Sequence, residues 1–300
     1  MIFPPYLQVG DTIGIVAPAR KISREEINFA VRWWESKGFR IELGKHLFDE
    51  HFQYAGTDES RLEDLQNMLN DRKIKAIFCA RGGYGTMRIV DQLDFLDFRF
   101  DPKWICGFSD ITTLHSHINK VLGISTIHST MPISMNEKNL ENLETLYQIL
   151  IGEHPLYTCN LHPLNKNGEC KGELTGGNLS LLYALSGSVS DLDTTQKILF
   201  LEDVDEYLYH IDRMMLQLKR AGKLAKLSGL LVGSFTKIKD NEIPFGKTVE
   251  QIIREHIEEY DYPVAFNFPA GHNEKNVALK LGANYSLIID EKNTILQEIE

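Results

Sequence analysis

Three short stretches combine residue types suited to acyl transfer: CGFSDIT (Cys106–Thr112), LEDVDE (Leu201–Glu206) and AGHNEKN (Ala270–Asn276). A serine hydroxyl is a weak nucleophile until an imidazole takes its proton, and a carboxylate can fix that imidazole's tautomer. Ser109, Glu202 and His272 offer these groups in the chain order serine, acid, histidine. Each follows or ends a run that reads as a strand, and strand ends on one edge of a parallel sheet meet at a crevice. Each also has a plainer role. A serine before aspartate at a helix start is an ordinary N-cap, and a histidine in a Pro/Gly turn is ordinarily a solvated side chain. Glu202, closing the apolar run ILFLE, must find a partner if it is buried. Asp205 and Glu206 read as helix-start charges that favour the macrodipole. With Glu202 and Asp203 they also form an oxygen cluster of the kind Mg²⁺ prefers.

RGGYG (Arg81–Gly85) lies between a strand and a helix pattern. Glycines there let backbone approach a ligand, and successive N–H groups can bind an anion or oxyanion. The spacing is not the GxGxxG of a dinucleotide site. A tight turn with positive φ accounts for one glycine more readily than for three. His115 and His117 stand at i, i+2 on a helix and face different ways, which makes a poor metal pair and predicts one packed and one exposed ring.

The elements that must position these groups alternate in type. Strands are expected at Thr12–Val16, Phe39–Leu43, Ile74–Cys79 and Trp104–Gly107. Helices are expected after the capping-box spacing Ser23–Glu26, over Thr86–Leu96 and over Asp110–Val121. That alternation implies βαβ units and a largely parallel sheet, an α/β fold. Residues 151–172, rich in Pro, Gly, Asn and His, read as a connection between a domain at 1–150 and a second at 173–300. The second domain opens with GELTGGNLSLLYALSG. It continues with a strand at Ile198–Glu202, a helix near Tyr207–Ala221, a strand at Leu230–Val232, a helix near Thr248–Tyr260 and a strand-like tail from Tyr285.

With 43% hydrophobic and 25% charged residues the chain has the composition of a soluble globular protein. A net charge of −10 argues against a nucleic-acid partner. No apolar run reaches the ~20 residues of a membrane span, and the N-terminus lacks the basic region of a secretory signal. Cys79 and Cys106 fall in apolar strands and the four cysteines show no CxxC spacing, so buried free thiols and a cytoplasmic location are expected.

Nearly end to end, the motifs GDTIGIVAPA, ARGGYG, GFSDITTLH, GELTGGNLSLL, ILFLEDVDEYLYHIDRMMLQL, AGHNEKN and LKLGANYSL stand in an order that resembles the LD-carboxypeptidase family of serine peptidases. That family includes murein tetrapeptide carboxypeptidases and microcin C self-immunity proteins. The resemblance implies an N-terminal parallel-sheet α/β domain and a smaller C-terminal α/β domain, with the active site between them and commonly a homodimer. It implies Ser109 as nucleophile, Glu202 as orienting carboxylate and His272 as general acid/base, with no metal or cofactor. The oxyanion hole would be the Gly82-Gly83 turn, Gly83 foremost, with the Asp110 N–H. The implied substrate is a muropeptide whose terminal D-Ala is removed in peptidoglycan recycling, with no nucleic-acid or membrane partner. Its free carboxylate needs a cation, for which Arg81 is the first candidate and Arg213 the second. The self-immunity branch implies an alternative, hydrolysis of an aminoacyl-nucleotide, for which Tyr84 or Trp104 would stack on the base. One departure is HSTMP at His128–Pro132, where many relatives carry HGP; it bears on pocket shape more than on catalysis.

Overall fold

The computed structural model describes residues 1–299; Glu300, the last residue of the expected second domain, lies outside them. The strands are β1 (Thr12–Val16), β2 (Arg40–Leu43), β3 (Ile74–Cys79), β4 (Trp104–Gly107), β5 (Thr126–His128), β6 (Leu156–Cys159), β7 (Gly168–Asn178), β8 (Lys197–Val204), β9 (Gly229–Thr236), β10 (Val264–Ala265), β11 (Leu279–Leu281), β12 (Asn284–Ile289) and β13 (Thr294–Glu298). The α-helices are α1 (Arg24–Ser36), α2 (Asp58–Asn70), α3 (Leu96–Phe100), α4 (Thr112–His117), α5 (Leu140–Leu150), α6 (Leu179–Leu185), α7 (Leu208–Arg220) and α8 (Val249–Ile257).

One compact unit comprises Met1–Glu153 with Val277–Lys280. Its sheet has the order β11-β5-β4-β3-β1-β2, and the pairings β1–β2, β1–β3, β3–β4 and β4–β5 are parallel. Parallel strands buried on both faces need continuous apolar runs, which TIGIV, IKAIFC and WICG supply. Helix α1 begins at the expected capping box. The Ser23 Oγ accepts from the Glu26 N–H at 3.4 Å, and Glu26 Oε2 accepts from the Ser23 N–H at 2.7 Å. Its buried Trp34 meets Phe78 of β3 edge-on, with ring centroids 5.0 Å apart.

The helix expected over Thr86–Leu96 is absent. Two 3₁₀ turns, Thr86–Arg88 and Val90–Gln92, stand there, and α3 begins only at Leu96. Gln66 of α2 captures both backbone groups of Asp94, accepting its N–H and donating to its carbonyl, each at 2.8 Å. The chain is thereby held out of helical register. Beyond β4 a helical run does form, from a 3₁₀ turn (Ser109–Ile111) through α4 to a wider π turn ending before Gly123, whose φ is +65°. All six residues of α4 are buried, so His115 and His117 are both packed, 1% and 8% exposed, against the expectation of one of each.

The second unit comprises His154–Asn276 and the chain from Leu281 on. Its sheet, β10-β9-β8-β7-β12-β13-β6, is parallel from β10 to β7 and antiparallel from β7 to β6. Helices α7 and α8 bury Ile211, Met214, Met215, Ile252 and Ile253 in its core. Stretch 151–172 is not wholly a connection. It contains β6 and the start of β7, because Tyr157, 5% exposed, packs inward while Leu156–Cys159 pairs with β13. A four-residue edge strand among prolines and glycines has too short a period to stand out in the sequence. The chain's return to the first unit at Val277–Lys280 is a second feature that a single connection does not describe.

Cys79 and Cys106 are buried free thiols. Among the described residues no helix is long and apolar enough to cross a membrane.

Candidate active site

In the first unit, β4 ends at Gly107 and Ser109 follows with a φ of +63°, in the left-handed region that non-glycine residues seldom occupy. The N-cap position falls on Phe108, so Ser109 opens the helical run without capping it. A strained turn between strand and helix is how hydrolases expose a serine hydroxyl. The strand end beneath it is fastened: the Gly107 carbonyl accepts from the Ser129 N–H at 3.0 Å and lies 2.9 Å from His115 Nε2. Burial pushes His115 down to about 3, so the ring is neutral, and against a carbonyl its Nε2 carries the hydrogen.

The glycine turn after β3 packs against this serine. A methyl at Gly82 would lie 2.9 Å from Ser109 Cβ and 3.1 Å from Oγ, so any larger residue there would displace the serine. Gly83 is glycine for a different reason, a φ of +113°. Neither Gly82, Gly83 nor Asp110 donates its backbone N–H to another described residue. The Asp110 side chain binds the turn to the serine helix by accepting the Thr86 N–H at 2.8 Å. Met131, from the departing segment His128–Pro132, lies beside Gly82.

In the second unit, Glu202 lies on β8 and is fully buried. The β8–β9 register slips there: Leu201 faces Val232 and Asp203 faces Phe235, leaving Gly233 and Ser234 opposite Glu202 alone. This bulge frees the Ser234 N–H to hold the Ala270 carbonyl at 2.9 Å, which tethers the loop bearing His272. Glu202 Oε2 lies 2.6 Å from His272 Nδ1 and accepts the His272 backbone N–H at 3.2 Å. Thr236 Oγ1 donates to the His272 carbonyl at 2.7 Å. Gly271 makes the approach possible, since a Cβ there would lie 2.7 Å from Glu202 Cβ. A carboxylate only accepts, so Nδ1 carries the ring proton and Nε2 is left as the accepting nitrogen. Burial alone would lower the His272 pKa, but the charge and hydrogen bond of Glu202 outweigh it and the net shift is upward.

The remaining carboxylates are engaged separately. Asp203 accepts from Asn178 Nδ2 and from the Ser180 N–H, both at 2.9 Å; burial and then the Glu202 charge push it up to about 7. Asp205 and Glu206 precede α7 instead of lying in its first turn, which holds no acidic residue. Asp205 has a φ of +64° and pairs with Lys239 at 2.7 Å, while Glu206 pairs with His210 at 2.5 Å. Each thus has its own neighbour in place of a helix dipole.

Residues 13–129 match the LD-carboxypeptidase N-terminal domain, and residues 171–287 match the LD-carboxypeptidase C-terminal domain. The chain belongs to the LD-carboxypeptidase family. It is 37% identical over 301 residues to the probable murein peptide carboxypeptidase of Bacillus subtilis, covering 98% of this chain and 94% of that one. It is 31% identical to the murein tetrapeptide carboxypeptidase of Pseudomonas aeruginosa over 90% of this chain and 91% of that one. The fold is shared with a muramoyltetrapeptide carboxypeptidase from Oxalobacter formigenes (TM-score 0.88, 24% identity, 96% and 99% coverage). It is shared equally with the microcin C7 self immunity protein MccF in complex with aspartyl sulfamoyl adenosine (TM-score 0.89, 22% identity, 100% and 99% coverage).

The other site candidates of this carboxypeptidase are differently placed. Arg81 is partly committed: its Nη1 donates to the Lys21 carbonyl at 3.1 Å and lies 3.9 Å from Glu26 Oε1. Arg213 lies over the Tyr209 ring at 5.2 Å, an aromatic neighbour in place of the carboxylate that its acidic surroundings suggest. Tyr84 is 45% exposed beside Tyr54, whereas Trp104 is buried with its Nε1 donating to the Pro5 carbonyl at 3.0 Å. Trp104 therefore has no face to offer a ligand. Sequence reasoning passed over Arg20, an exposed residue whose side chain crosses Gly83. Its signal was its place as the last residue of the turn APAR that follows β1, beyond the end of a parallel strand.

Proposed function

We propose that this carboxypeptidase hydrolyses the terminal D-Ala from murein tetrapeptide through a Ser109–His272–Glu202 triad. The observation that supports the reading is the 2.6 Å contact between His272 Nδ1 and the buried Glu202, which keeps the ring proton on Nδ1 and suits Nε2 to accept one. Ser109 Oγ attacks the carbonyl carbon while His272 Nε2 takes its proton. The carbonyl oxygen becomes an oxyanion, received by N–H groups of the Gly82-Gly83 turn and of Asp110. Aiming donors at charge that develops only in the tetrahedral state is worth about 3–4 kcal/mol per donor. Collapse breaks the C–N bond, and His272 returns the proton to the leaving amine. Water then attacks the acyl-serine, again giving its proton to His272, and Ser109 recovers that proton as the acid product departs.

Muropeptide recycling in the cytoplasm by a homodimer is the setting that fits this chemistry. The first test is mass spectrometry of murein tetrapeptide incubated with the unaltered protein and with Ser109→Ala, each with and without chelator. Loss of terminal D-Ala by the unaltered protein only, indifferent to chelator, is the expected result. Cleavage surviving in Ser109→Ala would sink the serine mechanism. No cleavage by either would remove the muropeptide reading and direct the assay to aminoacyl-nucleotides.

A further inference from the structure

A peptidase that removes one terminal residue must recognise a free carboxylate, and an exposed cation with no partner of its own is better placed to do so than one already engaged. Two arginines flank the glycine turn. Arg81 points to the Lys21 carbonyl and Glu26, as described above. Arg20 lies against Gly83. Its aliphatic stem crosses Gly83 so closely that a Cβ there would stand 2.5 Å from Arg20 Cδ and 2.9 Å from Nε. The side chain is exposed and forms no ion pair or side-chain hydrogen bond with any described residue.

The backbone at Arg20 is nonetheless fixed. Its N–H donates to the Gly82 carbonyl at 3.4 Å, and it pairs as an isolated bridge with Tyr54. The flanking residues are fastened to the same segment, Lys21 N–H to the Gln53 carbonyl at 3.0 Å and Ala55 N–H to the Ala19 carbonyl at 3.1 Å. Gly82 in turn packs on Ser109. A continuous line of contact thus runs from the Arg20 stem through Gly83 and Gly82 to the nucleophile. A guanidinium with a planar fork of donors suits a carboxylate better than any other side chain.

We propose that Arg20, rather than Arg81, receives the free terminal carboxylate of the substrate. The proposal rests on the carboxypeptidase reaction proposed above and adds the residue that makes the enzyme an exopeptidase. Gly83 then has two duties: it turns the chain at positive φ, and it leaves room for the Arg20 stem.

The test compares murein tetrapeptide with its C-terminal amide, using the unaltered protein and the variants Arg20→Ala, Arg20→Gln, Arg20→Lys and Arg81→Ala. The unaltered protein should prefer the free acid by about tenfold or more in kcat/KM, the scale of one charge-assisted pair. Arg20→Ala and Arg20→Gln should bring that preference near unity by raising KM for the acid, with kcat changed less than about threefold, because the contact is made equally in ground and transition states. Arg20→Lys should keep part of the preference, and Arg81→Ala should keep all of it. An acid preference that survives in both Arg20→Ala and Arg20→Gln overturns the assignment, as does a preference lost only in Arg81→Ala. If the unaltered protein cleaves the tetrapeptide without preferring the acid, the anchor is wrong while the reaction stands. If it cleaves neither peptide, the proposed reaction fails and the anchor with it.

Discussion

Glu202 has one oxygen on His272, and its other, Oε1, is buried without a hydrogen-bond partner. A carboxylate so placed depends on the imidazole for most of its compensation, and it favours the protonated ring in return. His272 accordingly sits above the ordinary histidine value of about 6.5. The sign of the pH effect follows. His272 as the proposed general base must be neutral, so kcat/KM should fall as pH drops through its pKa, with the acid limb centred above 6.5. In Glu202→Gln the two largest raising effects are gone and burial is opposed only by the smaller effect of the Asp203 charge, so the limb should move to lower pH. The maximal rate should fall by roughly 10²–10⁴, because the tautomer is no longer fixed. The measurement is kcat/KM against pH for both proteins; an acid limb that stays in place would show that another group sets it. At this scale the sequence was informative about identities and silent about geometry. Ser, Glu and His were visible as residue types at strand ends, but the φ of +63° at Ser109 was not, because nothing in GFSDIT demands a left-handed serine.

Elements hold these side chains by small irregularities more than by regular structure. The bulge opposite Glu202, the Gly271 approach and the Gly82 contact each depend on a single missing Cβ or one extra residue. Gly82→Ala tests this directly. Its φ is not positive, so the substitution costs little backbone strain, yet the new methyl would press on Ser109 Cβ at 2.9 Å. Activity on tetrapeptide should fall by about 10²-fold, the usual effect of an ångström-scale misplacement, while the melting temperature moves by only a few degrees. A variant with full activity would show that the turn has slack and that Gly82 does not position the serine. The same contrast explains what was legible. Strands β1, β3 and β4 matched their apolar runs to the residue, and the Ser23 box started α1, because burial and capping leave local signals. The failed helix at Thr86–Leu96 and the hidden strand β6 have tertiary causes, Gln66 on Asp94 and β13 beside Tyr157, which no window of sequence contains.

Across the whole molecule, a net charge of −10 opposes the approach of any substrate whose recognised group is a carboxylate. Two electrostatic effects of opposite sign should then coexist. Long-range repulsion from the summed charge acts over tens of ångströms at low ionic strength and is largely screened beyond about 8 Å at 0.15 M. The proposed pair between Arg20 and the terminal carboxylate acts at hydrogen-bond range, where screening is weaker. Added salt should therefore remove more repulsion than attraction, and kcat/KM for murein tetrapeptide should rise by about two- to tenfold between 10 and 150 mM ionic strength. The C-terminal amide, carrying one negative charge fewer, should respond less. Arg20→Ala should show the steepest rise for the free acid, since only repulsion is left to screen. Initial rates at subsaturating peptide, taken across a salt series in a non-binding buffer, read all three. A kcat/KM that falls with salt in the unaltered protein would mean that clustered cations outweigh the net charge at the approach to Ser109, and the search for the carboxylate's partners would then have to extend beyond Arg20.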